Sequence, residues 1–355
     1  MSEIICDIIL PVCDQFEFTK NCVESILVNT PLGFRLIVVN NGTNELTIAY
    51  LAGVKEKLGD RLIVIQNSAN LGWVKALNQG IAISKAPYLV FQNDDTVVTA
   101  GWLTKMIGIL ERDKRIGIVN PSWEGRPRHM PIEEYGALLE SKYRGAFIET
   151  DWARGFCVVL KKEVVEKIGN IDEIYGLAYF DDVDFSVRAI NAGFLVVLAL
   201  DTYVYHHRNV TFFEVLKGKK WNELHEKNKL IYYKRWGRPL KVAMVLGARS
   251  CDDDAVLDKI SETVFYLARK QHHIDIWSPR DRVDKFRHTN VSLRSCGPLT
   301  RLASSLELYL NSKKKPEKRY SAVFTYDKSP VEDFDSYVRN TVDALKEKTK
   351  ESIHG

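Results

Sequence analysis

Carboxylates stand in two places where their type and spacing suit chemistry. Asp94-Asp95 follows the apolar run Tyr88–Gln92, and Asp181-Asp182-Val183-Asp184 lies between Phe180 and Phe185. Two adjacent carboxylates at a strand end offer the hard oxygen ligands that a divalent cation takes, and such a cation would bridge to a diphosphate. The same pair also suits a turn or a helix N-cap. In the second group, one carboxylate placed beside a bound hydroxyl would act as general base. Stabilisation of a helix dipole is worth only about 0.3–1 kcal/mol per acidic residue, too little to require three of them. Capping combined with an ion pair to Arg188 is the alternative. His206-His207 follows an apolar strand, and the two acidic groups make it a candidate metal ligand beside the ordinary structural role of a hydrogen-bonded histidine.

The elements that must hold these residues alternate. Apolar runs at 4–12, 35–39, 61–66 and 88–92 read as strands, with helical spacing over 18–28, 46–58 and 73–84 between them. Such alternation predicts a parallel sheet covered by helices on both faces. Ligands of such sheets bind outside the carboxyl ends of the strands. Those ends carry Cys13-Asp14, Asn40-Asn41-Gly42-Thr43, Asn67 to Gly72, and Asn93-Asp94-Asp95. Any one of them would terminate a strand; four together point to a site for a polar ligand. From about 102 to 150 the pattern loosens into loops around Pro121, Gly125 and Pro131, and 148–161 resumes strand character. A helix follows the acidic group and stops at Gly193, and 195–200 is a strand.

Length and composition bound the rest. At 355 residues, 45% hydrophobic and 27% charged, the chain is globular and large enough for about two domains. Residues 1–240 hold 29 charges of each sign, so the whole net charge of +4 falls in the last third. That is too weak to argue for nucleic acid. Pro239 marks a boundary between residues 1–239 and a small α/β (Rossmann-like) unit, 240–355, with strands at 241–246, 274–277 and 322–326 and no glycine-rich phosphate fingerprint. The basic aromatic stretch from Lys217 to Arg238 reads as a helix with aromatics packed on one face and solvated lysines, the alternative being a nucleic-acid or anionic-membrane contact. The six cysteines, Cys6, Cys13, Cys22, Cys157, Cys251 and Cys296, form no C-x-x-C pair and fit free thiols of a reducing compartment. The start, Met1-Ser2-Glu3-Ile4, lacks a secretory pattern, and no apolar run reaches about 20 residues. The expected location is cytoplasmic.

In order along the chain, Ile8-Ile9-Leu10-Pro11-Val12, Val38-Val39-Asn40-Asn41-Gly42-Thr43, Asn70-Leu71-Gly72-Trp73, Phe91-Gln92-Asn93-Asp94-Asp95-Thr96, Gly155 with its apolar strand, Gly169-Asn170-Ile171-Asp172-Glu173, Phe180-Asp181-Asp182-Val183-Asp184-Phe185 and Tyr232 to Gly237 resemble the inverting glycosyltransferases of family two. The likeness covers residues 4–240 and is to the rhamnosyltransferase-like members. It implies the GT-A nucleotide-sugar-binding fold and a metal-dependent inverting transfer of a hexosyl or deoxyhexosyl group. The donor would be a nucleotide-diphosphate sugar and the acceptor a glycan or lipid-linked glycan, in cell-surface polysaccharide synthesis.

Carried over by position, the resemblance makes Asp182 the catalytic base, with Asp181, Trp152 and Gly155 on the acceptor side. Asp95 and His206 would hold the cation, Mn2+ or Mg2+. Pro11, Val12, Asp14, Asn40, Asn70, Gly72, Trp73, Asn93 and Asp94 would line the donor site, with Asn40 facing the base. Asn93 stands where the family's first metal-site Asp is usual, Asn40 where Asp is commoner, and Cys13-Asp14 where Tyr-Asn is usual. Asn93 sustains an alternative: a catalytically weak nucleotide-sugar-binding or scaffolding module. The basic last third would meet a partner, an anionic glycan or the inner face of a membrane, where the chain would associate peripherally.

Overall fold

In the computed structural model of the chain, residues 3–207, 219–295, 297–315, 318–326 and 330–354 are described. Met1, Ser2, Lys217 and Cys296 lie outside them. The chain clusters into two compact units, residues 1–148 with 152–229, and residues 149–151 with 230–355. The division falls ahead of Pro239.

The first unit runs β1 (Cys6–Val12), α1 (Phe16–Asn29), β2 (Phe34–Asn40), α2 (Glu45–Leu58), β3 (Leu62–Gln66), α3 (Trp73–Ile83), β4 (Tyr88–Gln92) and β5 (Thr96–Val98). It continues with α4 (Trp102–Leu110), β6 (Ile116–Ser122), α5 (Ile132–Tyr143), β7 (Phe147–Thr150), β8 (Cys157–Lys161), α6 (Lys162–Ile168), α7 (Asp181–Asn191) and β9 (Leu195–His206). Helix α8 (Lys219–Trp236) follows. The sheet order is β3-β2-β1-β4-β8-β6-β9-β5. Strands β3, β2, β1 and β4 are parallel, as are β6 and β9. Strand β8 runs antiparallel to both β4 and β6, and β5 antiparallel to β9.

The continuous apolar strands follow from burial on both faces. In β1, Ile8, Leu10 and Val12 pack with Cys22, Val23 and Ile26 of α1 and Leu51 of α2, while Ile9 joins Leu77 of α3 and Phe185 of α7 on the other face. Asp7, which interrupts the run, is fully buried and satisfied. Arg35 donates to its two oxygens at 2.8 Å each, and the Lys85 and Ala86 amides donate to Oδ2 at 2.7 and 2.9 Å.

The region 102–150, read as loops from its prolines and glycines, contains two helices and two strands. Helix α4 buries Trp102, Leu103, Met106, Ile107, Ile109 and Leu110 and turns Thr104, Lys105 and Gly108 to the other face, but it is only nine residues long and has a glycine inside it. Strand β6 includes Gly117 and Pro121, residues that weaken a strand signal. The single run expected over 148–161 is two strands, β7 and β8.

The second unit runs β10 (Lys241–Leu246), α9 (Ala248–Cys251), α10 (Asp254–Arg269), β11 (His273–Ser278), β12 (Val291–Ser295), α11 (Thr300–Ser312), β13 (Ala322–Tyr326) and α12 (Val331–His354). Its parallel sheet has the order β12-β11-β10-β13, which reverses direction at β10 as in doubly wound folds. Its own core joins Val242, Met244, Leu257, Val264, Ile276 and Val338. Among the described residues, no helix is long and apolar enough to cross a membrane.

Candidate active site

The polar residues at the ends of β1, β2 and β3 are largely engaged with one another. Asp14, in a left-handed conformation (φ 54°), accepts from the Thr43 and Asn44 amides through Oδ1 at 2.7 and 2.8 Å. Asn40 accepts from the Gly42 amide and donates to Gln66 Oε1. Asn41, Asn67 and Gln79 continue this amide network. Asn70 accepts from the Gly72 amide at 2.9 Å and donates to the Cys13 thiol. Gly72 has φ +84°, and a Cβ there would lie 2.7 Å from Leu177 Cδ2, so the close turn into α3 requires glycine. Pro11 and Val12 are buried at the end of β1, and Val12 accepts from the Asn41 amide through its carbonyl oxygen.

Trp73, the first residue of α3, donates its indole N–H to Asn93 Oδ1 at 2.8 Å. Asn93 therefore orients an aromatic ring. Asp94 is buried and accepts from the Thr19 hydroxyl at 3.0 Å; burial and the charge of Asp95 push its carboxyl up to about 7. Asp95 Oδ1 lies 3.1 Å from His206 Nε2. The two atoms do not meet in hydrogen-bond geometry, and among the described residues neither has a hydrogen-bond partner, although both are buried. They form an ion pair only when the ring is protonated. The β5–β9 pairing that sets Thr96 opposite His206 brings them together, and the imidazole stacks on Phe156 at 4.8 Å. His207 instead sits against Phe18 and Tyr205, and burial lowers its pKa.

His206 lines a cavity of about 550 Å³ together with Trp73, Asn93, Trp123, Trp152, Arg154, Gly155, Asp181, Asp182 and His225. Asp182 opens on this cavity from the first turn of α7. Its Oδ2 accepts from the Gly155 amide at 3.0 Å and its Oδ1 from the Val183 amide at 2.8 Å. Burial pushes Asp182 up to about 6, against the pull of those two amides and of the Arg154 charge. Asp181 is held well above the usual carboxylate range by burial and the neighbouring Asp182. A Cβ at residue 155 would lie 3.0 Å from the Trp73 ring and 3.5 Å from Asp182 Cβ, so glycine there lets ring, amide and carboxylate converge.

The third acid has a different place. Asp184 is fully buried, receives Arg188 Nε at 2.8 Å and the Tyr175 hydroxyl at 3.2 Å, and the same arginine donates to the Ile168 and Asn170 carbonyls. Pairing to Arg188 thus describes Asp184, in the interior rather than at the surface.

The cavity therefore gathers Trp73, Asn93, Trp152, Gly155, Asp181, Asp182 and His206, with Asp95 against His206. Pro11, Val12, Asp14, Asn40, Asn70, Gly72 and Asp94 do not line it.

Two further residues bear on the cavity. The Arg154 guanidinium lies over the rings of Trp123 at 4.0 Å and Trp152 at 4.6 Å. Its place between Trp152 and Gly155 is the one sequence signal for it. Buried Asn228 of α8 donates Nδ2 to the carbonyls of Tyr175, Ala178 and Tyr179 at 2.7, 2.8 and 3.2 Å. This clasp holds a turn whose Tyr179 and Phe180 both have positive φ, 74° and 65°, immediately before Asp181. Nothing in the polar stretch around Asn228 distinguishes it. Asn228→Leu leaves three carbonyls without their donor and is expected to cost about 1–3 kcal/mol in urea unfolding.

Residues 7–169 match the family model described as glycosyl transferase family 2. Protein y4gI of Sinorhizobium fredii is 26% identical over 223 residues, covering 58% of this chain and 24% of that protein. The O-antigen biosynthesis protein RfbC of Myxococcus xanthus is 26% identical over 225 residues, covering 58% of this chain and 17% of that protein. The matched region is thus about a quarter or less of these relatives' length. A mannosyltransferase from Pyrobaculum calidifontis, solved with GDP-Man and Mn2+, superposes with a TM-score of 0.50 at 18% identity, over 66% of this chain and 65% of that one. Residues 7–169 thus resemble glycosyl transferase family 2, and the larger unit shares the GT-A fold of that mannosyltransferase.

Proposed function

We propose that the chain is a metal-dependent inverting glycosyltransferase. It would move a hexosyl or deoxyhexosyl group from a nucleotide-diphosphate sugar to a hydroxyl of a glycan or lipid-linked glycan, in cell-surface polysaccharide synthesis on the cytoplasmic side. The observation that carries this reading is the shared cavity: Asp182 opens on it, and His206, whose Nε2 faces Asp95 Oδ1, lines it. In the transfer, Asp182 takes the proton of the acceptor hydroxyl as that oxygen bonds to the anomeric carbon. The bond from that carbon to the diphosphate breaks, and the nucleoside diphosphate leaves. Amide N–H groups of Gly155 and Val183 fix the carboxylate's direction. Trp73, Trp123 and Trp152 offer flat apolar faces on which sugar rings pack and exclude water.

Asp95 and His206 fit a divalent cation. Two ligands at about 2.1 Å from one ion, at right angles, are about 3 Å apart, and among the described residues these two atoms make no hydrogen bond. Held by Asp95 and His206, such an ion would supply charge neutralisation for the departing diphosphate.

Asn93 favours a second reading, a binding module with little catalysis. Its side chain serves Trp73, and no group of three or more potential ligands occurs among the described residues. Calorimetry with nucleoside diphosphates, with and without manganese, followed by donor-consumption assays on glycan acceptors, separates the two. Manganese-dependent binding with donor consumption is the expected result; binding without consumption on any acceptor supports the module.

A further inference from the structure

Helix α11 of the second unit is turned inside out. Its buried side consists of Thr300, Ser304 and Asn311, each no more than 6% exposed. Its large apolar residues face outward: Leu299 is 63% exposed, Leu302 69%, Leu306 58%, Tyr309 60% and Leu310 48%. At 3.6 residues per turn these five fall within an arc of about 100°, so they form one continuous stripe. Contiguous exposed apolar surface of this kind marks an interaction site.

Charge next to the stripe says what covers it. Lys313, Lys314, Lys315, Lys318 and Arg319 follow the helix directly. Lys313, Lys315, Lys318 and Arg319 are exposed, and the Lys313 ammonium lies 5.3 Å from the Tyr309 ring centre, at the end of the stripe. From residue 299 to 319 the sequence holds six basic residues against two carboxylates, Glu307 and Glu317, and Glu307 already pairs with Lys314 at 3.0 Å. A second copy packed on this face by two-fold symmetry would set this net positive segment against itself. An anionic lipid surface answers both features, taking the leucines into its interfacial layer and the lysines onto its headgroups.

We propose that the exposed face of α11, with the basic segment after it, docks the chain on an anionic lipid bilayer. The inference goes beyond the transferase reading and does not depend on it, because binding is read without donor, acceptor or metal.

The test is flotation of the full chain with phosphatidylcholine vesicles, with and without phosphatidylglycerol. Binding is expected on the vesicles that contain phosphatidylglycerol and is expected to weaken by about tenfold or more at high salt. Leu302→Ser with Leu306→Ser, and separately Lys313→Ser with Lys315→Ser and Lys318→Ser, should each lower the partition by at least about tenfold. All five positions are exposed, so circular dichroism and the thermal midpoint should stay those of the parent chain. The proposal is overturned if the parent chain stays unbound on phosphatidylglycerol vesicles, or if either variant floats as it does. A dimer that the double leucine variant dissociates, with no vesicle binding, assigns the stripe to a second copy instead.

Discussion

Asp182→Asn is expected to lower transfer by about 10²–10⁴-fold, the range a positioned general base contributes. Asparagine keeps the shape and one carbonyl oxygen for the Gly155 or Val183 amide, so the turn and the cavity persist while the proton acceptor is lost. Donor affinity, measured by calorimetry, should stay within about twofold, because the base faces the acceptor. The parent chain should also show a pH signature. A base must be unprotonated to work, and burial pushes Asp182 up to about 6. Activity should therefore rise about tenfold per pH unit below that value and level off above it, whereas the residual rate of the variant should lack this limb. If Asp182 merely capped α7, the substitution would move the unfolding midpoint and leave turnover near that of the parent.

Asp95→Ala is expected to remove manganese-dependent binding of nucleoside diphosphates and to reduce transfer by roughly 10³-fold, the scale of several kcal/mol of charge stabilisation by a bound cation. The argument rests on two buried atoms. Asp95 Oδ1 and His206 Nε2 face each other at 3.1 Å and make no hydrogen bond among the described residues, a costly arrangement unless something else pairs with both. His206→Ala should weaken the same binding, since it removes the second ligand while Phe156 and the β5–β9 pairing remain. Calorimetry with and without manganese decides the matter, and identical titrations in both conditions would show that the pair is an ordinary ion contact.

The parts of the fold legible in the sequence are those where burial is two-sided and continuous. Strands β1, β2 and β4 and the helices between them follow from apolar runs and 3.6-residue spacing, and so do the strand ends where ligands of such sheets bind. Helix α4 escaped because it is short, nine residues with Gly108 inside it, and β6 because Gly117 and Pro121 interrupt it. Edge strand β12 escaped because it is half-exposed with little apolar content. The antiparallel placement of β8 between two parallel sets depends on partners distant in the chain, which no local pattern encodes.

The site divides in the same way. Asp182 and Asp184 look alike as letters; the i, i+4 spacing of Asp184 and Arg188 is the local sign that this acid is structural. Asn40, Asn70 and Asp14 satisfy backbone and side-chain partners around the strand ends, so their types alone do not reveal how much hydrogen-bonding capacity remains for a ligand. Arg154 between two tryptophans, and Asn228 clasping the turn before Asp181, arise from contacts across 31 residues or more for Trp123 and about 50 for the turn, and only folding brings them together.

The central claim is tested most directly by following the anomeric proton of nucleotide-diphosphate sugars by NMR, with the chain, manganese and a glycan acceptor. A donor that binds only with manganese should be consumed, the product should carry the opposite anomeric configuration, and Asp182→Asn should leave the donor intact. A donor that binds with manganese yet is not consumed by the parent chain, a product of retained configuration, or equal turnover by the variant would contradict the account.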